Sequence, residues 1–268
     1  MSFFTDKVVI VTGGTEGIGK ALVEKLLEDG AKVATCGRNF DKLYQMQLKY
    51  SDYPFMTHKA DVSFEQDCRR LIELTIKTYG KIDILINNAG ISMRALFEET
   101  DMDTLRNVMD VNFWGAVYCT KYALPYLLAS KGTIVGVSSI AGYRGLPGRS
   151  GYSASKYALN GWLESIRTEL KHKDVNVIWV CPGFTASNIR NVALNKDAKP
   201  EAESLMDEGN MMTAEQCASY ILRSIIKKKR NLILTFQGKE AVWMNRLFPS
   251  WTDKLIHKFY FKNGVLTK

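Results

Sequence analysis

The chain is poor in the residues that would mark a metal or disulfide protein. Its five cysteines (Cys36, Cys68, Cys119, Cys181 and Cys217) are odd in number, scattered, and never spaced as Cys-x-x-Cys. Free buried thiols in a reducing compartment fit this pattern; bridges and metal ligands do not. The three histidines, His58, His172 and His257, form no cluster, so no metal is expected. No apolar run reaches the length of a membrane span. The first residues run at once into a β-branched segment and leave no room for a secretory leader, so a cytoplasmic location is expected. Internal repeats, low-complexity stretches and interdomain linkers are missing too, and a single domain over residues 1–268 is expected. A hydrophobic content of 46% is ample for its core.

What is present alternates. Strand-like runs fall at 7–12, 32–36, 54–59, 82–86, 133–137, 175–180 and 232–236. Helical patterns fall between them at 20–29, 41–50, 64–79, 103–128, 152–171 and 213–226. Such βαβα order specifies an α/β fold, a parallel sheet with helices on both faces. Ligands bind these sheets at the carboxyl ends of the strands.

The first strand leads into Gly13-Gly-Thr-Glu-Gly17-Ile-Gly19 and then a helix. That is the context a dinucleotide fingerprint needs. Gly13 suits the tight turn, Gly17 lets backbone approach a pyrophosphate, and Gly19 lets the helix pack closely on the sheet. The helix start offers N–H groups and a positive dipole end. Further along, Tyr152 and Lys156 are four residues apart on one helix and so share a face. There an ammonium stabilises a phenolate and makes the phenol a usable proton donor near neutral pH. Asp61-Val62, Asn87-Asn88-Ala89-Gly90, Ser138-Ser139 and Pro182-Gly183-Phe184-Thr185 all fall at strand ends. Each alone reads as a turn or cap; together they ring one edge of the sheet.

Thr12-Gly-Gly-Thr-Glu-Gly-Ile-Gly19, Asn87-Asn-Ala-Gly90, Asn112, Ser139, Tyr152-x-x-x-Lys156 and Pro182-Gly183 resemble, in order and spacing, the motif set of the short-chain dehydrogenase/reductases, from residue 6 to about 236. The resemblance implies a Rossmann-type doubly wound sheet of about seven strands, a nicotinamide cofactor, and an active-site tetrad of Asn112, Ser139, Tyr152 and Lys156. It implies that Tyr152 protonates a ketone oxygen, that Ser139 hydrogen-bonds it, and that Lys156 lowers the tyrosine pKa and holds the ribose. Asn112 would anchor a water that relays protons to Lys156, although a helix-kink residue is its plainer reading. Ser139, thirteen residues before the tyrosine, is favoured over Ser138. Cofactor contacts are expected from Gly13, Thr15, Gly17, Ile18, Gly19, Arg38, Asp61 and Val62, and from Asn88, Ala89, Gly90, Tyr152, Lys156, Pro182, Gly183 and Thr185. Asp61 would meet the adenine, Asn88 brace the strands, and Thr185 touch the carboxamide. The second strand ends Cys36-Gly37-Arg38, with no acid for a ribose 2′-hydroxyl and an arginine for a 2′-phosphate. NADP(H) is therefore favoured, with NAD(H) as the alternative, while Glu16 in the turn argues the other way.

Substrate contacts are expected from residues 91–97, 143–147 and a lid at about 184–212. These are mostly apolar apart from Arg94, Arg144 and Arg190. Of 36 basic and 28 acidic residues, the last 42 positions hold ten and two, which is the entire +8 excess. An extension at about 239–264 places Trp251, Leu255, Ile256, Phe259 and Tyr260 on one half of a helical wheel, opposite Lys254, His257, Lys258 and Lys262. Such a helix covers its own domain or a partner, or lies peripherally on a membrane. Nucleic-acid binding is not expected, since no nucleic-acid module is present. The functional expectation is reduction of an apolar, lipid-like ketone such as a 3-ketosphingoid base, a 3-oxoacyl chain or a steroid. The alternatives are a soluble NAD-dependent alcohol dehydrogenase of small molecules and a non-catalytic nucleotide-binding protein. The resemblance implies a homodimer or homotetramer through the helices at 103–128 and 152–171.

Overall fold

Seven short runs, most of them rich in Val, Ile and Leu, become the strands β1 (Val8–Thr12), β2 (Lys32–Gly37), β3 (Phe55–Lys59), β4 (Ile84–Asn87), β5 (Thr133–Val137), β6 (Asn176–Cys181) and β7 (Asn231–Ile233). They form one sheet in the order β3-β2-β1-β4-β5-β6-β7, every pair parallel. This is the computed structural model of the chain, which describes residues 2–183, 185, 189, 192–199 and 211–267. Its helices are α1 (Gly17–Glu28), α2 (Phe40–Lys49), α3 (Glu65–Tyr79), α4 (Met102–Met109), α5 (Gly115–Ala129), α6 (Ser150–Leu170), α7 (Ala214–Ile226), α8 (Phe236–Leu247) and α9 (Pro249–Tyr260).

Successive strand side chains point to opposite faces, so each strand feeds two cores. Val9 and Val11 of β1 join Leu22, Leu26 and Ile221 from α1 and α7 on one face. Ile10 joins Leu71, Cys119, Leu159 and Leu163 from α3, α5 and α6 on the other. Burial of this kind stabilises by roughly 1.5–3 kcal/mol per large aliphatic side chain. The fold is a Rossmann-like α/β sandwich. Its strand order reverses between β1 and β4, which opens a crevice at their carboxyl ends, where such sheets take ligands.

Three expectations need correction. The helix expected at 103–128 is broken into α4 and α5 by a π-helical turn, Asp110–Trp114, that holds the buried Asn112. The last strand is Asn231–Ile233 rather than 232–236, because Thr235 takes a left-handed φ of 63° and caps α8 through its hydroxyl. The extension is helical as expected but begins at residue 236 and is two helices, since Pro249 has no N–H to continue α8 and instead opens α9. Within α9 the half-wheel of aromatics is split as well. Ile256 and Tyr260 turn inward with Thr252, while Trp251 and Leu255 are exposed. An antiparallel hairpin, β8 (Phe261–Lys262) and β9 (Val265–Leu266), closes the described chain. Most of the expected lid at 184–212, including Phe184 and Arg190, lies outside the described residues. Among the described residues no helix is long and apolar enough to cross a membrane, and no acidic, histidine and cysteine cluster could hold a metal. All five cysteines are buried and free. Burial pushes the Cys36, Cys181 and Cys217 thiols up to about 12, which leaves them protonated and inert at neutral pH.

Candidate active site

The crevice is a cavity of about 920 Å³ that gathers nearly all the polar residues singled out in the sequence. At one end stands the glycine turn. Gly13 and Gly17 have φ of 67° and 51°, the left-handed region that favours glycine. A Cβ on Gly19 would strike the Gly13 carbonyl oxygen, so the close approach of α1 depends on its absence. No acidic residue sits in the first turn of α1, and the Glu16 side chain does not cap it. Thr15, Ile18, Gly37, Arg38, Asp61 and Val62 line the same end. Asp61 also accepts from the Ser63 amide and hydroxyl at 3.0 and 2.8 Å, which shapes the turn after β3. Glu16 is ion-paired with Lys42 on α2, while Arg38 is exposed at the cavity edge.

The floor is built by hydrogen bonds between strand ends. Asn88 Nδ2 donates to the Thr12 and Gly13 carbonyls at 2.9 and 3.1 Å. Thr12 Oγ1 in turn accepts from the Asn88 and Ala89 amides at 3.0 Å each. Gly90 lies over two further groups: a Cβ there would come within 3.1 Å of Asn112 Oδ1 and 3.5 Å of Lys156 Nζ. These bare backbone positions form a cradle that side chains would fill, and it fits a flat dinucleotide.

Asn112, 1% exposed, has both amide donors in direct bonds. Its Oδ1 accepts from the Ile91 amide at 2.8 Å, and its Nδ2 donates to the Ile91 carbonyl and to Ser155 Oγ, each at 2.9 Å. Ser155 Oγ then donates to the Tyr152 carbonyl at 2.8 Å. The π-helical turn thus bolts the loop after β4 to the helix that carries Tyr152 and Lys156. Sequence reasoning missed Ser155, although its place three residues after Tyr152 puts it one turn along α6.

Lys156, 3% exposed, donates from Nζ to the Val137 carbonyl at 2.9 Å and sits 5.7 Å from the centroid of the Tyr152 ring. Burial pulls its ammonium down to about 8. Ser139 caps a short helical turn by accepting from the Ala141 amide at 3.1 Å and remains open to the cavity. Its rival, Ser138, is nearly fully buried. Pro182, Gly183 and Thr185 close the side beneath β6, where Thr185 Oγ1 lies 3.3 Å from the Gly183 carbonyl.

The remaining wall comes from a place the family motifs do not reach. Thr235, Gly238 and Ala241 of the α8 segment and Ile256, Phe259 and Tyr260 of α9 all line the cavity. The extension is held down by polar bonds as well as packing. Arg144 donates to Asn245 Oδ1 at 2.9 Å and pairs with Asp253 at 2.7 Å, and Asn245 Nδ2 returns to the Tyr143 carbonyl at 2.9 Å. Leu266 of β9 packs where a Cβ on Gly148 would stand, and Ile140 where one on Gly238 would. The extension therefore packs on its own domain and walls the site.

Comparison with known proteins agrees with this geometry. The short chain dehydrogenase sequence pattern matches residues 7–198. Over 267 residues the chain is 33% identical to Dehydrogenase/reductase SDR family protein 7-like of Dictyostelium discoideum, covering 96% of this chain and 83% of that protein. It is 34% identical over 267 residues to 11-beta-hydroxysteroid dehydrogenase A of Arachis hypogaea, covering 94% and 75%. A solved short chain dehydrogenase/reductase from Burkholderia phymatum, in complex with NAD, superposes with a TM-score of 0.83 at 22% identity over 94% of this chain and 96% of the other. The chain belongs to the short-chain dehydrogenase/reductase family and is an NAD(P)-dependent oxidoreductase.

Proposed function

We propose that this single-domain chain is an NADP(H)-dependent reductase of apolar, lipid-like ketones, acting through Asn112, Ser139, Tyr152 and Lys156. The observation that carries the reading is one cavity that holds Ser139, Tyr152 and Lys156 opposite an apolar wall of Ala241, Ile256, Phe259 and Tyr260. The glycine turn, Asn88–Gly90 and Lys156 would hold a nicotinamide dinucleotide, which would supply the hydride that a carbonyl carbon gains on reduction. Tyr152 gives the carbonyl oxygen its proton, and Ser139 donates a hydrogen bond to that oxygen as negative charge develops. The phenolate left behind is stabilised by the Lys156 ammonium. Asn112 acts as a positioning residue, because its side-chain donors are spent on Ile91 and Ser155.

The preference for NADP(H) over NAD(H) is supported by Arg38 at the end of β2 and by the pairing of Glu16 with Lys42, which offsets the carboxylate nearest a 2′-phosphate. The apolar substrate class is supported by relatives named as 11-beta-hydroxysteroid dehydrogenases. Exposed aromatics at Trp114 and Tyr126 on the α5 side and Tyr157 on α6 favour a homodimer or homotetramer through these helices, which sedimentation velocity reads directly. The outer face of the extension carries Phe236 (81% exposed), Trp243 (62%), Phe248 and Trp251 among exposed Lys239, Arg246 and Lys254. That combination supports peripheral contact with an anionic membrane from the cytoplasmic side.

The test follows NADPH and NADH absorbance with long-chain ketones in mixed micelles, with Tyr152→Phe as the blank. Turnover by wild type and its loss in Y152F are expected, with NADPH preferred and Arg38→Glu reversing that preference. Turnover confined to short alcohols with NAD would overturn the reading in favour of a small-molecule dehydrogenase.

A further inference from the structure

The charges around the cavity are divided between its ends. Among the described lining residues the carboxylates are Glu16 and Asp61, both at the glycine-turn end. The other end holds Arg144 and Arg149 amid Leu146, Ile256 and Phe259. Arg144 is spent on Asn245 and Asp253. Arg149 is not spent. It is partly buried, it pairs with no carboxylate among the described residues, and its Nε is buried without a hydrogen-bond partner. Among the described residues its side chain makes one hydrogen bond, from Nη1 to Ser92 Oγ at 3.2 Å, and Ser92 lines the same cavity.

An arginine left without an anion in an apolar cleft is costly, and a ligand acceptor relieves that cost. Position narrows which acceptor. Arg149 immediately precedes α6, three residues before Tyr152 in the chain, and both side chains line the same cavity. A group received by Arg149 is therefore carried close to the ketone that Tyr152 protonates. The fork of a guanidinium matches a carboxylate in shape and charge.

We propose that Arg149, assisted by Ser92, is the specificity residue of this cavity and receives a carboxylate carried near the ketone, so that the substrate is an apolar oxo acid. The assignment rests on the reductase reading above and narrows it. A ketone with a neighbouring ammonium, as in a 3-ketosphingoid base, would set a cation against Arg149 with no carboxylate among the described lining residues at that end to offset it, and is disfavoured.

The test compares three ketones of equal chain length with the full chain and NADPH in the same non-ionic micelles: a long-chain 4-oxo acid, its primary amide, and a 3-ketosphingoid base. Wild type is expected to show kcat/KM in the order acid, amide, amine. Arg149→Gln should lower kcat/KM for the acid about 10- to 100-fold more than for the amide, chiefly through KM, as loss of a hydrogen bond to a charged group does. Arg149→Lys should keep part of the preference for the acid. An amine used as well as the acid by wild type would overturn the assignment, as would equal losses on all three ketones in R149Q. Should R149Q fail to fold, the wild-type order alone decides. Binding of a saturated long-chain acid and its amide to Y152F, read by tryptophan fluorescence, tests Arg149 without turnover. If no ketone is reduced, the reductase reading falls, while a tighter Kd for the acid, lost in Y152F/R149Q, still upholds the arginine; equal Kd values refute it.

Discussion

Replacing Lys156 by methionine should separate what the site does for catalysis from what it costs the fold. The ammonium is buried, and burial lowers its pKa from 10.5 to about 8. At ~1.36 kcal/mol per pH unit, keeping that charge inside costs the protein about 3 kcal/mol near neutrality. Methionine fills similar space without charge, but it leaves the Val137 carbonyl without the donor it has at 2.9 Å, which returns about 1 kcal/mol. K156M should therefore be more stable than wild type by about 2 kcal/mol at pH 7 when no cofactor is bound, and inactive. The pH dependence is the sharper readout. Below about pH 8 the lysine is charged in both folded and unfolded chains, and its cost is fully present. Between about 8 and 10.5 it is neutral only when folded, the unfolded chain holds the extra proton, and wild type gains on the variant as pH rises. Above 10.5 the difference is gone, apart from the Val137 term. Urea unfolding of both proteins between pH 7 and 10 measures this, because other titrations cancel in the difference. A stability difference that stays constant over that range would refute the reasoning, and so would K156M being the less stable protein at pH 7.

Asn112→Ala should destabilise the chain by about 3 kcal/mol, because the buried Ile91 amide and carbonyl both lose their partner. Activity should fall with it, and a loss below about 1 kcal/mol on denaturant unfolding would show that the bracket is dispensable. Replacing Trp243 and Trp251 together by serine should abolish flotation with vesicles containing anionic lipid while turnover of a water-soluble ketone persists. Undiminished flotation of the double variant would place membrane contact elsewhere.

Much of this architecture is legible in the sequence because it depends on local chemistry. β1 is a run of β-branched residues, the turn after it needs residues at positive φ, and the Tyr152–Lys156 spacing follows from the pitch of a helix. What is not legible depends on partners distant in sequence. The π-helical turn at Asn112 is held by Ile91 and Ser155, and no periodicity around residue 112 announces either. Glu16 looks hostile to a phosphate until α2 brings Lys42 against it. On the wheel of α9, hydrophobicity alone does not say that Ile256 and Tyr260 turn inward while Trp251 and Leu255 face out. Arg144 and Arg149 look alike in sequence, five residues apart. Asp253 occupies the first, and no described carboxylate occupies the second.

The segment that walls the cavity follows every element of the seven-stranded sheet, and it lies beyond residues 7–198, where the family pattern ends. The residues proposed for proton transfer and the apolar wall that faces the cavity are thus written in separable stretches of one chain. Substitutions in α8 and α9 can reshape what the cleft admits without disturbing Ser139, Tyr152 or Lys156. A ribosome making this protein finishes the sheet first and that apolar wall last. Inheritance can treat the two parts in the same way, holding the first nearly fixed while the second drifts toward new ligands.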